Sequence, residues 1–323
     1  MDEQIGELQR QLGSLNQELK QGVVFQSLGP RLGQLMDGIH RHRRTPVTLP
    51  DDQDGITEYL SELRDDLNQN HSLYLPLQDM DFLLSHLASP DPEIRYNGVN
   101  FTIYDALQQN ALGVDEQVAL IHFLSRDATL FAHILEPTNA AVFGRASSAS
   151  VLAVALHFAA ENKIQSRLNY QQLVIQVATY ICLETDTRGF VNQQGWAHAY
   201  AAIIDLLMVL SETDDLPRAD KLFLLLTLIE RLKRLTTPLI YGENDRMATY
   251  FVTLTNRHAL YEVTLVKALK QWRQTVARRR RPDNLAGWNQ FFNRKRLADA
   301  LRLRQDAGPR LKKYLNSTID FLG

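Results

Sequence analysis

The hydrophobic residues of this chain recur with the period of an α-helix. In the first segment they are spaced alternately by three and four residues, which places them on one helix face: Ile5, Leu8, Leu12, Leu15 and Leu19. Similar stripes follow along the chain, whereas strictly alternating patterns bounded by turn residues are few. The pattern therefore predicts an all-α fold built from successive helices.

Capping residues indicate where several of these helices begin. Asp91 followed by Pro92 suits the N-cap and the first position of a helix. Asn169, with Gln172 three residues later, resembles a reciprocal capping pair. Pro217 is expected to open a further helix. Because short loops separate these starts from the preceding helices, we expect antiparallel helix pairs.

An arginine recurs near the start of four of the predicted apolar helices. Arg95, Arg145, Arg188 and Arg246 are 50, 43 and 58 residues apart along the chain. These intervals bracket the length of helical-hairpin repeats, in which each hairpin buries its apolar face only by stacking on its neighbours. We therefore predict stacked antiparallel helix pairs that form a HEAT- or armadillo-like right-handed superhelix.

Composition divides the chain into four parts. Residues 1–44 are predicted to form an N-terminal helical extension, and residues 45–54 a linker-like stretch rich in Pro and Asp. A helical-repeat core domain is expected over residues 55–269. Residues 270–323 are expected to form a basic helical segment that packs on the core.

The charge of the chain is unevenly distributed. The formal net charge is only −2. From Lys270 onward, however, 14 Lys and Arg residues stand against 4 Asp and Glu, so this segment carries +10 and the preceding residues carry −12. A basic end on an acidic body indicates either an anionic partner or self-contact between the two parts.

The basic segment offers candidate contacts for a nucleic acid or an anionic membrane surface. Together with two of the repeat arginines, the candidate anion contacts are Arg145, Arg246, Arg278, Arg279, Arg280 and Arg281. The alternative is a solvated C-terminal helix whose apolar side chains dock on the body, namely Leu297, Leu301, Leu311 and Leu315. The acidity of the remaining chain argues against a dedicated nucleic-acid binder.

A polar loop that leads into an apolar helix supplies the candidate functional cluster, which consists of Glu184, Asp186, Arg188, Trp196, His198 and Asp205. His198 with Asp205 would suit a proton-transfer or metal-binding pair. Asp186 with Arg188 would suit an anion site beside a glycine-rich helix entry. The structural alternative for His198 and Asp205 is a buried polar network in which each group has its partners. For Asp186 and Arg188 it is an ion pair between repeats. Trp196 would pack in the core, on a helix predicted over residues 196–210.

The same segment resembles the bacterial domain-of-unknown-function family 2785. In chain order the similarity rests on Asp186-x-Arg188-Gly189-Phe190-Val191, Gly195-Trp196-Ala197-His198-Ala199 and Asp205. Weaker matches surround Arg95, Arg145 and Arg246, so that the resemblance extends over about residues 75–269. It implies an all-helical, superhelical fold and brings no assigned activity.

The family pattern has a second histidine four residues after the first, where this chain has Ala202. Two ligands at positions i and i+4 of a helix lie about 6 Å apart and can share a metal ion. His198 and Asp205 are seven residues apart, which on a helix is a rise of roughly 10 Å. We therefore predict no metal site and no cofactor.

The remaining signals lead us to expect a cytoplasmic protein. The lone Cys182 lies in an apolar run and fits a buried thiol in a reducing compartment. The N-terminal residues lack the features of a signal peptide. No apolar run reaches the length of a membrane helix, and the best candidate, residues 197–210, is short and contains two polar residues.

Sequence motifs do not favour an enzyme, because no nucleotide-binding, zinc-protease or serine-hydrolase signature occurs. We predict an interaction or scaffold module whose partner is a protein. One alternative is a small-molecule binding protein or hydrolase with a polar cleft around Asp186, Arg188, His198 and Asp205. The other is an anion- or nucleic-acid-binding protein that uses the basic C-terminal segment.

Overall fold

The computed structural model describes residues 2–69, 73–278 and 281–317, and these are predominantly helical. The α-helices are, in chain order, α1 (Glu3–Lys20), α2 (Leu28–Asp37), α3 (Ile56–Gln69), α4 (Leu77–Ser85), α5 (Phe101–Gln108), α6 (Val114–Ser125), α7 (Asp127–Leu130), α8 (Ala141–Glu161), α9 (Tyr170–Leu183), α10 (Ala199–Glu212), α11 (Arg218–Leu232), α12 (Glu243–Arg257), α13 (Ala259–Ala277), α14 (Leu285–Leu303) and α15 (Pro309–Asn316). A π-helical segment, Glu93–Asn100, precedes α5. The predicted all-α class is confirmed.

One small sheet interrupts the helices. Strand β1 (Phe190–Val191) pairs antiparallel with β2 (Gly195–Trp196), with Phe190 opposite Trp196. The prediction of a helix that begins at residue 196 is therefore wrong, because α10 begins at Ala199. Two-residue strands are too short to produce a detectable alternation in the sequence.

The chain divides into two compact units. The first unit comprises residues 40–176 and 188–209, and the second comprises residues 2–39, 177–187 and the chain from Leu210 onward. Helices α9 and α10 each contribute residues to both units. The sequence-based division at residues 45–54 and 270 stays a prediction.

The first unit is organised around α8, which packs against α5, α6 and α7. In the described part of the chain α8 is the one helix long and apolar enough to cross a membrane, and 72% of its apolar window is buried inside the protein. The choice of residues 197–210 as the best apolar candidate was therefore wrong. Gly144, Arg145, Ser147 and Ser148 break the continuous apolar run of α8 without making the helix polar on average.

The predicted helix starts are confirmed. The Asp91 carboxylate accepts a hydrogen bond from the Glu93 amide at 2.8 Å, at the beginning of the π-helical segment. Asn169 Oδ1 accepts from the Gln172 amide at 3.1 Å at the start of α9. Pro217 immediately precedes α11. Side-chain acceptors and proline thus mark helix ends here as they do in isolated helices.

In the second unit α11 packs against α1, α2, α13 and α14. Asn16 of α1 donates to the Asp220 carboxylate of α11 at 2.7 Å, and both side chains are buried. The C-terminal helices also pack into this unit, where α14 contacts α12 and α15 contacts α13. Their predicted docking residues are buried: Leu297, Leu301, Leu311 and Leu315.

Candidate functional site

The hairpin formed by β1 and β2 lies in the first unit, directly before α10. Its backbone pairing continues beyond the strands, because the Ala197 amide donates to the Gly189 carbonyl at 2.9 Å and the His198 amide to the Arg188 carbonyl at 3.1 Å. Gln193 and Gly195 have φ values of 64° and 71°. These left-handed residues produce the tight turn at residues 192–194.

A buried arginine anchors the hairpin turn. Arg95, which is 2% exposed, donates to the Gln194 carbonyl at 2.6 Å and to the Trp196 carbonyl at 3.4 Å. It also donates to the Ser89 carbonyl, and its guanidinium lies 4.4 Å from the centre of the Phe143 ring. Burial lowers the pKa of Arg95 to about 10, so the side chain stays protonated near neutral pH.

The anchored hairpin presents two aromatic rings to solvent. Phe190 is 50% exposed and Trp196 is 48% exposed, and their ring centroids lie 5.2 Å apart in an edge-to-face arrangement. The His198 ring lies 4.2 Å from the Trp196 ring on the same hairpin. The prediction that Trp196 packs in the core is wrong, because the residue belongs to a strand and not to a buried helix face.

The other polar residues of the predicted cluster lie on several elements, and their convergence on one site stays a prediction. His198 has a φ of 49° and precedes α10, so the helical spacing argument about Ala202 and Asp205 does not apply to it. Arg188 donates to the Asn139 carbonyl at 2.5 Å. Asp205 is half-buried within α10.

Two of the three acidic residues of the predicted cluster, Glu184 and Asp186, belong to the second unit. Glu184 is buried, and its carboxylate accepts from the amides of Thr185 at 3.0 Å and Asp186 at 2.9 Å. These bonds stabilise the turn that follows α9. Among the described residues, no group of three or more His, Cys, Asp and Glu side chains has the geometry to hold a metal ion.

Arg145 lies at a separate cavity in the first unit. The cavity has a volume of about 270 Å³ and is lined by α8 together with residues from α4, α6 and the chain around Val47. Arg145 is 2% exposed and donates to the Ala132 carbonyl at 2.8 Å. Arg95, Arg145 and Arg188 thus all donate to backbone carbonyls. Arg246 differs, because it is exposed in the first turn of α12.

A larger polar cleft lies in the second unit, with a volume of about 690 Å³. Residues of α2, α11, α13 and α14 line it, among them four cationic side chains: Arg231, Lys233, Arg234 and Arg278. We refer to it as the basic cleft. Sequence reasoning identified Arg278 alone among these cations. The missed signal was a run of three basic residues, 231–234, at the end of an otherwise apolar helix.

Two cations of the basic cleft are paired with carboxylates. Arg234 forms bonds of 2.7 and 2.8 Å with Asp37 and of 2.8 Å with Glu230. Burial opposes the charge of Arg234, but these hydrogen bonds raise its pKa above the ordinary value. Lys233 Nζ lies 2.5 Å from Glu230 Oε1. Gly33 of α2 allows the approach, because a Cβ there would overlap the Arg234 guanidinium.

The remaining basic residues of the C-terminal segment have different surroundings. Arg281 is exposed and lies 5.5 Å from the Trp288 ring centre. Arg279 and Arg280 lie outside the described residues. The described members of the predicted anion contacts are thus divided between the cavity of the first unit, the surface of α12, the basic cleft and the surface beside Trp288.

Comparison with known proteins gives one match. Residues 130–303 match the family described as "Protein of unknown function (DUF2785)", which is more than half of the chain. The chain belongs to the DUF2785 family. No curated protein and no solved structure matches it.

The DUF2785 match includes the hairpin, α8 and the cationic residues of the basic cleft. It begins later than the resemblance predicted from residue 75, so Arg95 and the motif around it lie outside the matched segment. It also continues past Leu269 into α14. The DUF2785 segment therefore takes in most of the segment treated as a separate basic end in the sequence.

Proposed function

We propose that this DUF2785 protein is a helical-repeat interaction module, of the HEAT- or armadillo-like superhelical class, that binds a protein partner through its aromatic hairpin. The observation that carries the proposal is the pair of half-exposed rings, Phe190 and Trp196, on a backbone anchored by Arg95. Exposed aromatic residues that are held in one conformation are characteristic of protein-binding hot spots.

The energetics favour a partner that covers both rings with apolar side chains. A large aromatic side chain buries roughly 150–250 Å² when it is fully enclosed, at about 25 cal/mol per Å² of apolar surface. Because Arg95 holds the hairpin in place before binding, less conformational entropy is lost when the partner docks. The two rings are thus preorganised for binding, and little further conformational entropy is lost on association.

The repeat architecture forms part of the same proposal. Consecutive helices pack on one another within each unit, as α6 does with α7 and α12 with α13. This is the contact pattern expected when helical hairpins stack to bury their apolar faces. A scaffold of that kind supports a rigid binding element without requiring catalytic groups.

Backbone contacts of the predicted polar cluster support a binding module over the hydrolase alternative. Glu184 and Arg188 each bond to backbone groups within their own unit. We propose a cytoplasmic location on separate grounds, since the lone Cys182 is a buried, reduced thiol.

The proposal is tested by affinity capture from cells that naturally produce the protein, followed by measurement of binding to the captured partner. The Trp196→Ala variant should weaken that binding by at least about 2 kcal/mol, roughly thirtyfold, because the central ring of the contact is lost. Isothermal titration calorimetry with the purified partner measures the change.

The matched control is Phe101→Ala. Phe101 is 45% exposed and pairs edge-to-face with Tyr96 at 5.3 Å, so it resembles the hairpin pair in exposure and geometry. This variant should bind the partner as the wild type does. Equal losses in both variants, or no loss in Trp196→Ala, would refute the role of the hairpin.

A further inference from the structure

The basic cleft contains a buried cation that is not neutralised. Arg231 is 6% exposed, and its Nη1 donates to the Cys182 carbonyl at 2.9 Å. No carboxylate within the described residues pairs with it, and its buried Nε has no hydrogen-bond partner there. A buried charge without a counter-ion is costly, so it indicates a group that binds and compensates it.

A second unpaired cation, Arg278, lines the same cleft as Arg231, although the two residues are distant in the sequence. Arg278 follows α13 directly, is exposed, and forms no ion pair with the described part of the chain. The cleft therefore has four cationic side chains against two carboxylates, Asp37 and Glu230, which leaves a net charge of two positive.

The four cations of the cleft form two groups, of which one is paired with carboxylates and the other is not. Lys233 and Arg234 share Glu230 and Asp37, so their charges are already compensated by protein groups. Arg231 and Arg278 are the two that remain available to an anion. Both are arginines, whose planar guanidinium groups bind phosphate oxygens in a bidentate manner.

The rest of the lining is polar and neutral. Four side chains of this type face the cleft: Gln271, Gln274, Thr275 and Gln290. Amide and hydroxyl side chains can both donate hydrogen bonds to ligand hydroxyl groups and accept hydrogen bonds from them. They therefore suit the polar part of an organic ligand. At about 690 Å³ the cleft is within the usual range for small-molecule sites and exceeds what a single inorganic phosphate requires.

We propose that the basic cleft binds a phosphorylated small organic molecule, with its phosphate at Arg231 and Arg278 and its polar remainder at the glutamines. The ligand neutralises the two unpaired charges and so stabilises the second unit. The site is independent of the aromatic hairpin, which belongs to the first unit. Its failure would therefore leave the proposed protein-binding function intact.

Isothermal titration calorimetry of the full chain with pyrophosphate and with ribose 5-phosphate, at constant chloride, tests the proposal. We expect saturable binding of both compounds at millimolar or lower concentration, and no binding of unphosphorylated ribose. Bound ligand should also raise the melting temperature, because it binds only the folded protein. The absence of saturable binding with both phosphate compounds would overturn the proposal.

The decisive variant is Arg278→Ala, because Arg278 is exposed and its removal leaves the core unchanged. It should weaken binding of both phosphate compounds roughly tenfold, as expected for the loss of one charge-assisted hydrogen bond. Arg231→Lys, which keeps the charge but loses the planar fork, should weaken binding in the same direction.

Arg281→Ala is the matched control. Arg281 is an exposed arginine only three residues from Arg278, but it contacts Trp288 and does not line the cleft. Its removal should change the affinity less than about twofold, since distant surface charges are screened by salt. An equal loss in the Arg281 and Arg278 variants would show that the basic segment attracts phosphate non-specifically, and the cleft would then be rejected.

Discussion

Individual arginines hold several loops of the first unit through hydrogen bonds to backbone carbonyls. Arg95 holds the hairpin turn through the Gln194 and Trp196 carbonyls, and Arg145 and Arg188 donate to loop carbonyls elsewhere in the first unit. Arg95 satisfies three backbone acceptors and Arg145 and Arg188 at least one each, and such acceptors would otherwise be costly to bury. The recurrence of arginine in the sequence thus reflects a repeated structural requirement in this unit.

The lone cysteine behaves as its sequence context predicts. Cys182 is fully buried, and burial raises the pKa of its thiol to about 12, against the opposing effect of Arg231 and Arg234. A thiol with a raised pKa is a weak nucleophile at neutral pH. The predicted buried thiol is therefore confirmed.

Replacement of Gly195 by alanine should destabilise the protein by about 1–3 kcal/mol. The residue has a φ of 71°, and an added Cβ would lie 2.8 Å from the Pro92 Cβ. Urea unfolding of the variant measures the loss of free energy. Intrinsic fluorescence should shift as well, because Trp196 is the next residue.

Gly13→Ala serves as the control for Gly195→Ala. Gly13 lies within α1, and an added Cβ there meets no atom within 4 Å. This substitution should stabilise the protein by about 0.5–1 kcal/mol, because alanine favours the helix over glycine. A Gly195→Ala variant as stable as the wild type would contradict the strained-turn interpretation.

At the level of elements, the C-terminal helices show how apolar spacing and basic composition combine. Helices α14 and α15 carry many arginines and lysines, yet four of their leucines are buried in the second unit, namely Leu297, Leu301, Leu311 and Leu315. These are the four leucines that the sequence predicted to dock, and their burial agrees with that prediction. Charge on the outer faces and leucine on the inner faces are what an amphipathic helix at a surface requires.

The Leu311→Ala variant in α15 should therefore lose about 2–5 kcal/mol of unfolding free energy, the usual loss for a large-to-small substitution at a buried site. Leu311 is 0% exposed in the folded chain. Leu303→Ala is the matched control, since Leu303 is 79% exposed and its loss should change stability by less than about 0.5 kcal/mol. Equal stabilities of the two variants in urea would show that α15 does not dock as described.

At the level of the whole molecule, two compact units share helices α9 and α10. Helix formation is cooperative along the chain, so melting one part of a continuous helix favours melting of the rest. We therefore expect the two units to unfold in one transition. The three tryptophans provide probes, with Trp196 in the first unit and Trp272 and Trp288 in the second.

Trp196→Phe leaves reporters in the second unit alone, and the double variant Trp272→Phe with Trp288→Phe leaves a reporter in the first. In each variant the fluorescence midpoint in urea should coincide with the midpoint of far-ultraviolet circular dichroism. Comparison within one variant removes any effect of the substitution on overall stability. Two separated transitions in either variant would show that the units unfold independently.

Local sequence patterns were sufficient to predict the features that depend on local periodicity and local chemistry. It predicted the all-α class, the helix starts at Asp91, Asn169 and Pro217, the buried Cys182 and the family. These follow from interactions within a few residues, or from motifs that are contiguous in the chain. Leucine spacing in α14 and α15 belongs to the same group.

The candidate sites depend on contacts between residues that are distant in the chain. The exposure of Trp196 depends on a hairpin whose turn is held by Arg95, about a hundred residues earlier in the chain. The basic cleft brings together Arg231 of α11 and Arg278, which directly follows α13. The unneutralised charge of Arg231 becomes visible only when its neighbours are known. The burial and the ion pairing of a side chain depend on residues that are distant in the chain, so a local sequence pattern does not predict them.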